Sequence, residues 1–346
     1  MFIVAALRRA VRQTVMLGIV TTAGLSPASG QEATDAAPMT FVRIGTGPTG
    51  GTYFPMGGLI ANAISNPPGS RPCDKGGSCG VPGLIAVAQS TQGAVANVDA
   101  VVRGSIELAL AQADVAYWAY HGTGIYKGKG AAVKLAAIGR LYQEAFHLVA
   151  RVDSGIADVT DLKGKRISMG EPGSGTLVDA QAILKAYGIR EKDVSISYLK
   201  PGASADALLA GDIDAFFFVA GAPITTISRL LESGSAMLIP IDGAPARKLA
   251  DTYPFLLQGT IPGGVYPQTP TTPTISVGAV LVTSTDVPED LIYGITKALW
   301  HPANKPLFER GHPGGAQMLP EQATQGLGIP LHAGAANYYF DAGLLE

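Results

Sequence analysis

From residue 39 onward, short apolar runs alternate with glycine-rich turns and amphipathic stretches, and the whole alternation occurs twice. The first passage opens on an apolar run, Phe41 to Ile44, which predicts a strand. A glycine-rich loop follows (Gly45 to Thr52), then a helical stretch from Tyr53 to Ser65. A strand at Leu84 to Ala88, a helix at Ala94 to Val102 and a strand at Ile106 to Ala111 complete it. The second passage has the same order: a strand (Lys165 to Met169), a glycine loop (Gly170 to Thr176) and a helix (Leu177 to Tyr187). A strand (Val194 to Leu199), a short helix (Ser204 to Leu209) and a last strand (Ile213 to Val219) follow. Strand, glycine loop, helix, strand, helix, strand is the pattern of a parallel sheet with covering helices. Ligands of such sheets sit beyond the carboxyl ends of the strands. Two copies therefore predict an α/β protein of two Rossmann-like lobes, with both glycine loops at one shared cleft.

The segment Val133 to Val152 joins the copies and reads as two apolar strands around Arg140 to Glu144. Thr274 to Thr283 reads as a strand returning to the first lobe, and two crossings make a hinge. The expected division is 39–142 plus about 285–346 for the first lobe and 143–284 for the second. Pro288 to Trp300 should be a helix on the first lobe. Pro262 to Gly264 and Pro267 to Pro273 read as loop over the cleft.

The first thirty residues differ in kind. Arg8, Arg9 and Arg12 precede an uncharged run from Thr14 to Leu25, and Ala28-Ser29-Gly30 offers small residues for cleavage. That is the form of a secretory signal over 1–30, with 31–38 as a flexible linker. The run is too short to span about 30 Å of hydrocarbon. The mature chain is expected outside the cytoplasm, in the periplasm. Only 15% of residues are charged and the formal net charge is −2, so a basic nucleic-acid face is excluded. In an oxidising compartment Cys73 and Cys79 should form a disulfide. A zinc site would need two more ligands, and none of the five histidines is near them in sequence.

The glycine loops carry the chemistry. Gly45 to Gly50 fits G-x-G-x-x-G, but the next strand ends in Gln89-Ser90-Thr91 with no acid for a ribose, and Pro48 removes a backbone donor. Gly170 to Thr176 lacks the lysine of a phosphate-binding loop, with Gly175 in its place. What remains is a helix N-terminus suited to a single carboxylate or phosphate. Ser174 and Thr176 would add hydroxyl donors, as would Thr49, Thr52 and Tyr53 in the first lobe. The alternative is that these residues are ordinary helix caps. Asp114, after a strand end, could bind an amino group or cap the helix behind it. Asp212 and Asp214 read as solvated. His121, His147, His301, His312 and His332 are dispersed, His147 reading as a core or hinge residue, and Pro172 spoils G-x-S-x-G at Ser174. No enzyme and no cofactor are expected.

The sequence resembles the TAXI-type solute-binding proteins of TRAP transporters. The likeness rests on IGTGPTGGTYFPMGG (44–58), AVAQSTQGAVANV (86–98), LALAQADVAYWAYHGTG (108–124) and GRLYQEAFHLVARVDSGIADVTDLKGKRISMGEPGSGT (139–176). It continues through AGDIDAFFFVAGAP (210–223), VPEDLIYGITKALW (287–300) and GIPLHAGAANYY (328–339), covering nearly the whole mature chain. The resemblance implies a type II periplasmic-binding-protein fold, a monomer, a small organic anion as ligand and a TRAP membrane permease as partner. Glutamate-like amino acids and 2-oxo or dicarboxylic acids are the implied ligands. It places the pocket on Thr49, Gly51, Thr52 and Tyr53, on Ser90 and Gln112, on Gly173, Ser174, Gly175 and Thr176, and on Ala220, Gly221 and Pro223. Asp114 and Tyr142 complete the candidate set. The Cys73–Cys79 insertion and Arg140 depart from the pattern. Arg140 could bind a second carboxylate or pair with Glu144 as a hinge ion pair, the latter being favoured. The same fold would also serve an ABC transporter for another small anion.

Overall fold

A computed structural model describes residues 39–346; the signal and linker expected over 1–38 lie outside the described residues. The first glycine loop lies between strand β1 (Thr40–Gly45) and helix α1 (Tyr53–Ile64). That helix buries Tyr53, Met56, Gly57, Ile60, Ala61 and Ile64, one face at helical spacing. Two-residue strands β2 (Ser65–Asn66) and β3 (Val81–Pro82) pair with each other and bracket the cysteine insertion. Strand β4 (Leu84–Gln89), helix α2 (Ala94–Val102), strand β5 (Leu108–Gln112) and helix α3 (Ala113–His121) follow. Every residue of β5 is buried, as a strand covered on both faces requires.

Strand β6 (Leu135–Arg151) then runs without a break, where the pattern suggested two strands. Its pairing partner, the later strand β12 (Thr272–Ser284), keeps it hydrogen-bonded through the polar middle. The second copy is β7 (Arg166–Ser168), α4 (Gly175–Ala186), β8 (Ser195–Ser197), α5 (Pro201–Ala210) and β9 (Ala215–Ala220). Between it and β12 lie elements the pattern did not assign: α6 (Thr225–Glu232), β10 (Ala236–Ile239), α7 (Gly243–Thr252) and β11 (Leu256–Ile261). The chain ends in α8 (Glu289–Leu299), α9 (Lys305–Gly311) and α10 (Ala333–Asp341); α8 and α9 pack on α1, and α10 packs on α8.

The strand order is β4-β1-β5-β12-β6-β9-β7-β8. Read inward from either end, the two halves match: second, first and third strand of the copy, then a long antiparallel strand. The repeat in the sequence is thus a repeat in the fold. Ala279–Thr283 pair with β5 while Thr272–Val277 pair with β11, so β12 changes lobes inside its own length.

Two expectations fail here. The loop after β11 does not cover the cleft. Tyr266, fully buried, carries it into the second lobe, where its hydroxyl accepts from Ile224 N at 3.1 Å and meets His147 Nε2 at 2.9 Å. His147 Nδ1 faces the carbonyls of Ala145 (2.9 Å) and Phe218 (3.1 Å), so that nitrogen carries the proton and Nε2 accepts from Tyr266. Asp214 is buried rather than solvated. It bonds Arg166 through Nη2 (2.6 Å), Nε (3.2 Å) and the backbone N–H (2.9 Å), because the strands on either side of β9 each supply an arginine, Arg166 from β7 and Arg151 from β6.

Candidate functional site

Both glycine loops lie at carboxyl ends of parallel strands and meet across the boundary between the lobes. Asn97 on α2 fastens the first one, donating through Nδ2 to Thr46 O (2.5 Å) and Leu110 O (2.7 Å). Hydrogen bonds at the two loops then tie the lobes together. Thr52 Oγ1 donates to Gly221 O at 2.9 Å, Ala96 N to Gly173 O at 3.0 Å, and Gln112 Nε2 to Asp179 Oδ2 at 2.6 Å. The approach is so close at Gly175 that a β-carbon there would lie 1.3 Å from Gln112 Oε1 and 3.2 Å from Ala94 Cβ. The lobes are closed on each other.

Between them remains a cleft, about 540 Å³ counting the part open to solvent. Of the expected residues, Gly51, Thr52, Tyr53, Gln112, Ser174, Gly175, Thr176 and Ala220 line it. Gly173 packs against Gln92 and Ala96 at its edge, Gly221 packs on the Tyr142 ring, and Pro223 follows a cis peptide bond just beyond. Thr49 and Ser90 are exposed and do not reach the cavity, Ser90 spending its hydroxyl on Gly47 O at 2.9 Å. Asp114 and Tyr142 do not line the cavity; both are buried, each with one oxygen lacking a hydrogen-bond partner, Asp114 Oδ2 and Tyr142 Oη.

The hydroxyls of the second loop also make bonds within the protein. Ser174 is the N-cap of α4: its Oγ accepts from Leu177 N at 3.2 Å and donates to Glu171 O at 2.7 Å. Thr176 Oγ1 accepts from Val219 N at 3.2 Å. What the loop offers the cavity is the start of α4, whose first N–H groups have no acceptor within the helix.

The chemistry at the other side of the cavity is acidic. Glu144, 1% exposed, lines it and accepts from Tyr53 Oη at 2.8 Å through Oε2. Burial pushes its carboxyl well above the usual carboxylate range, and the negative charge of Asp114 adds to the rise. Burial raises the Tyr53 and Tyr142 hydroxyls as well, with Glu144 reinforcing both shifts. Glu171, also lining the cavity, is raised by burial; Lys200 Nζ stands 4.0 Å away and acts against that rise. Among the described residues lining the cavity there is no Lys, Arg or His.

Glu144 was expected to pair with Arg140, and it does not. Arg140 turns the other way and donates to Gln322 through Nη2 (2.9 Å to Oε1) and Nε (3.3 Å to O). The reason is a bulge. Tyr142 and Arg140 stand opposite the consecutive residues Ala279 and Val280 of β12, so Leu141 is an extra residue. An even spacing puts two strand residues on one face only if the strand is regular, and one inserted residue reverses the parity. Cys73 and Cys79 are joined by a disulfide, and the fold brings His301 Nε2 to 3.9 Å from Cys73 Sγ, a neighbour the sequence spacing concealed. His301 Nδ1 accepts from Ala303 N, so in the neutral ring Nε2 holds the proton.

A family model described as the NMT1-like family matches residues 44–343. The chain belongs to the NMT1-like family. Among solved structures, MatC (Rpa3494) from Rhodopseudomonas palustris with bound malate aligns at a TM-score of 0.51, with 13% identity over 88% of this chain and 99% of that one. A periplasmic transporter aligns at a TM-score of 0.51, with 14% identity over 82% and 89%. The aliphatic sulphonate binding protein SsuA from Escherichia coli aligns at 0.46, with 17% identity over 88% and 84%. The first two show the fold, that of periplasmic binding proteins. No helix among the described residues is long and apolar enough to cross a membrane.

Proposed function

We propose that this NMT1-like protein is an exported, monomeric solute-binding protein of the TAXI type. It captures a small amino acid and delivers it to a TRAP-type membrane permease, without turning it over. The moving bodies are 39–142 with about 285–346, and 143–284, the end of β12 running beside β5 of the first body. The observation that carries the ligand class is Glu144 at the cavity wall, with no cationic side chain lining the space. The first turns of α1 and α4 suit a carboxylate. A buried carboxylate suits an ammonium, which would hold Glu144 ionised. A zwitterion satisfies both sides, whereas a dicarboxylate or 2-oxo acid without an amino group brings no positive charge to Glu144.

The test is a thermal-shift screen of the mature chain with L-glutamate, other amino acids, 2-oxoglutarate and succinate. At a hundred times Kd a true ligand adds about 2.7 kcal/mol. An amino acid should stabilise the protein and lose that effect in Glu144→Gln. Stabilisation by 2-oxoglutarate or succinate with none by any amino acid refutes the class. A hit consumed on incubation refutes the non-enzymatic role.

A further inference from the structure

Two carboxylic acids approach each other from opposite lobes. Asp114 is the second residue of α3, and Asp179 lies one turn into α4. They are 0% and 1% exposed. Gln112 Nε2 donates to Asp179 Oδ2 at 2.6 Å; Asp114 Oδ1 accepts from Val115 N at 2.7 Å, and its Oδ2 has no partner. The two carboxyl groups face one another within hydrogen-bonding reach. Two carboxylates are acceptors only, so a bond between them requires a proton.

The surroundings supply no positive charge to hold both ionised. From β6 come Glu144 and Tyr142, from α1 Tyr53, and from β5 Gln112. Asp99 on α2 is engaged by Tyr126 Oη at 3.0 Å, and Arg103 at the end of that helix is exposed. β9 and β12 carry no titratable residue. α7, packed along α4, turns Arg247 and Lys248 to solvent. Arg140 is directed to Gln322.

We propose that Asp114 and Asp179 form a proton-binding site that exists only while the lobes are closed. One proton from solvent is held between the two carboxyls on closing and returns to solvent on opening. Burial raises both acids, Asp179 the further because Asp114 faces it, in the direction this requires. The proton belongs to the pair and not to either residue alone. Separation of the lobes returns the acids to water, where carboxyl groups release protons near pH 4. Closing therefore binds one proton, and the ratio of closed to open molecules falls up to about tenfold per pH unit as pH rises through the pair's range. The site rests on the closing motion of the proposed function and is independent of the solute's identity.

The test is small-angle scattering of the solute-free mature protein from pH 5 to 9. In the wild type the compact form should give way to a larger radius of gyration as pH rises. In Asp179→Asn the amide donates to Asp114 without a titrating proton, so the compact form should persist to high pH; Asp114→Asn should do the same from the other lobe. A radius of gyration independent of pH in the wild type, or the same pH dependence in both Asn variants, overturns the proposal. Failure of every amino acid in the ligand screen leaves this measurement untouched, so the two readings fail separately.

Discussion

Gly175→Ala isolates closure from everything else the second glycine loop does. The added carbon would sit 1.3 Å from Gln112 Oε1 and 3.2 Å from Ala94 Cβ, both on the facing lobe. Gly175 has an ordinary backbone conformation, so alanine introduces no strain there, and alanine is a better helix former than glycine. Within its own lobe the variant is therefore unharmed. To close, Gln112 must swing about 2 Å to regain a normal contact, since even weakened hydrogen-bonding atoms stay near 3 Å apart. That movement breaks the 2.6 Å bond from Gln112 to Asp179, a buried bond to a charged pair worth about 1.5–3 kcal/mol. At about 1.4 kcal/mol per tenfold, the closed state and the affinity that depends on it should fall about tenfold to a hundredfold. Calorimetric titration with the solute found by the thermal screen reads the affinity, and scattering reads the shape. Unchanged affinity together with an unchanged radius of gyration would show that the lobes do not meet at Gly175 in solution, and would refute the closed geometry.

His147 gives a pH signature of stability. Burial holds its ring down at about 4, against 6.5 in the unfolded chain. Below pH 6.5 the unfolded chain takes up a proton that the folded one refuses. Stability from this residue is thus complete above about pH 6.5 and declines as pH falls toward 4, by about 3 kcal/mol in all. Urea unfolding of wild type and His147→Gln between pH 4 and 7 should show that slope only in the wild type; parallel curves would contradict the buried neutral ring. Replacing Cys73 and Cys79 by Ser opens a short loop, and should cost about 2 kcal/mol in unfolding free energy. The disulfide residues are outside the cavity lining, so solute affinity should not change. A tenfold affinity loss would place the insertion in binding.

The sequence pattern alone disclosed the repeated strand-loop-helix order, because apolar periodicity and glycine turns are local properties. It also led to Thr52, Tyr53, Gly175 and Thr176, which follow directly from the loops. Glu144 was visible as a lone acid in an apolar strand, yet its role was misread. Face parity along β6 depends on a bulge opposite β12, more than a hundred residues away in sequence. Asp179 shows no motif at all. Its meeting with Asp114 exists only when two lobes are placed together. Ser174 acts as a helix cap, the alternative that its residue type left open, its hydroxyl accepting from the helix it starts and donating to Glu171 O in the loop. The short elements between 225 and 261 went unassigned because each is too brief to establish a period.

The shared long strands also set an order of events in synthesis. The first lobe's third strand, β5, ends at residue 112, but its neighbour β12 begins at residue 272. A nascent chain that has released everything up to the second glycine loop still has a bare sheet edge and an unfinished lobe. Pairing across so great a separation is slow to form. A protein built this way stays incompletely folded until almost all of it has emerged, the condition in which a chain can still be threaded through a membrane before it locks.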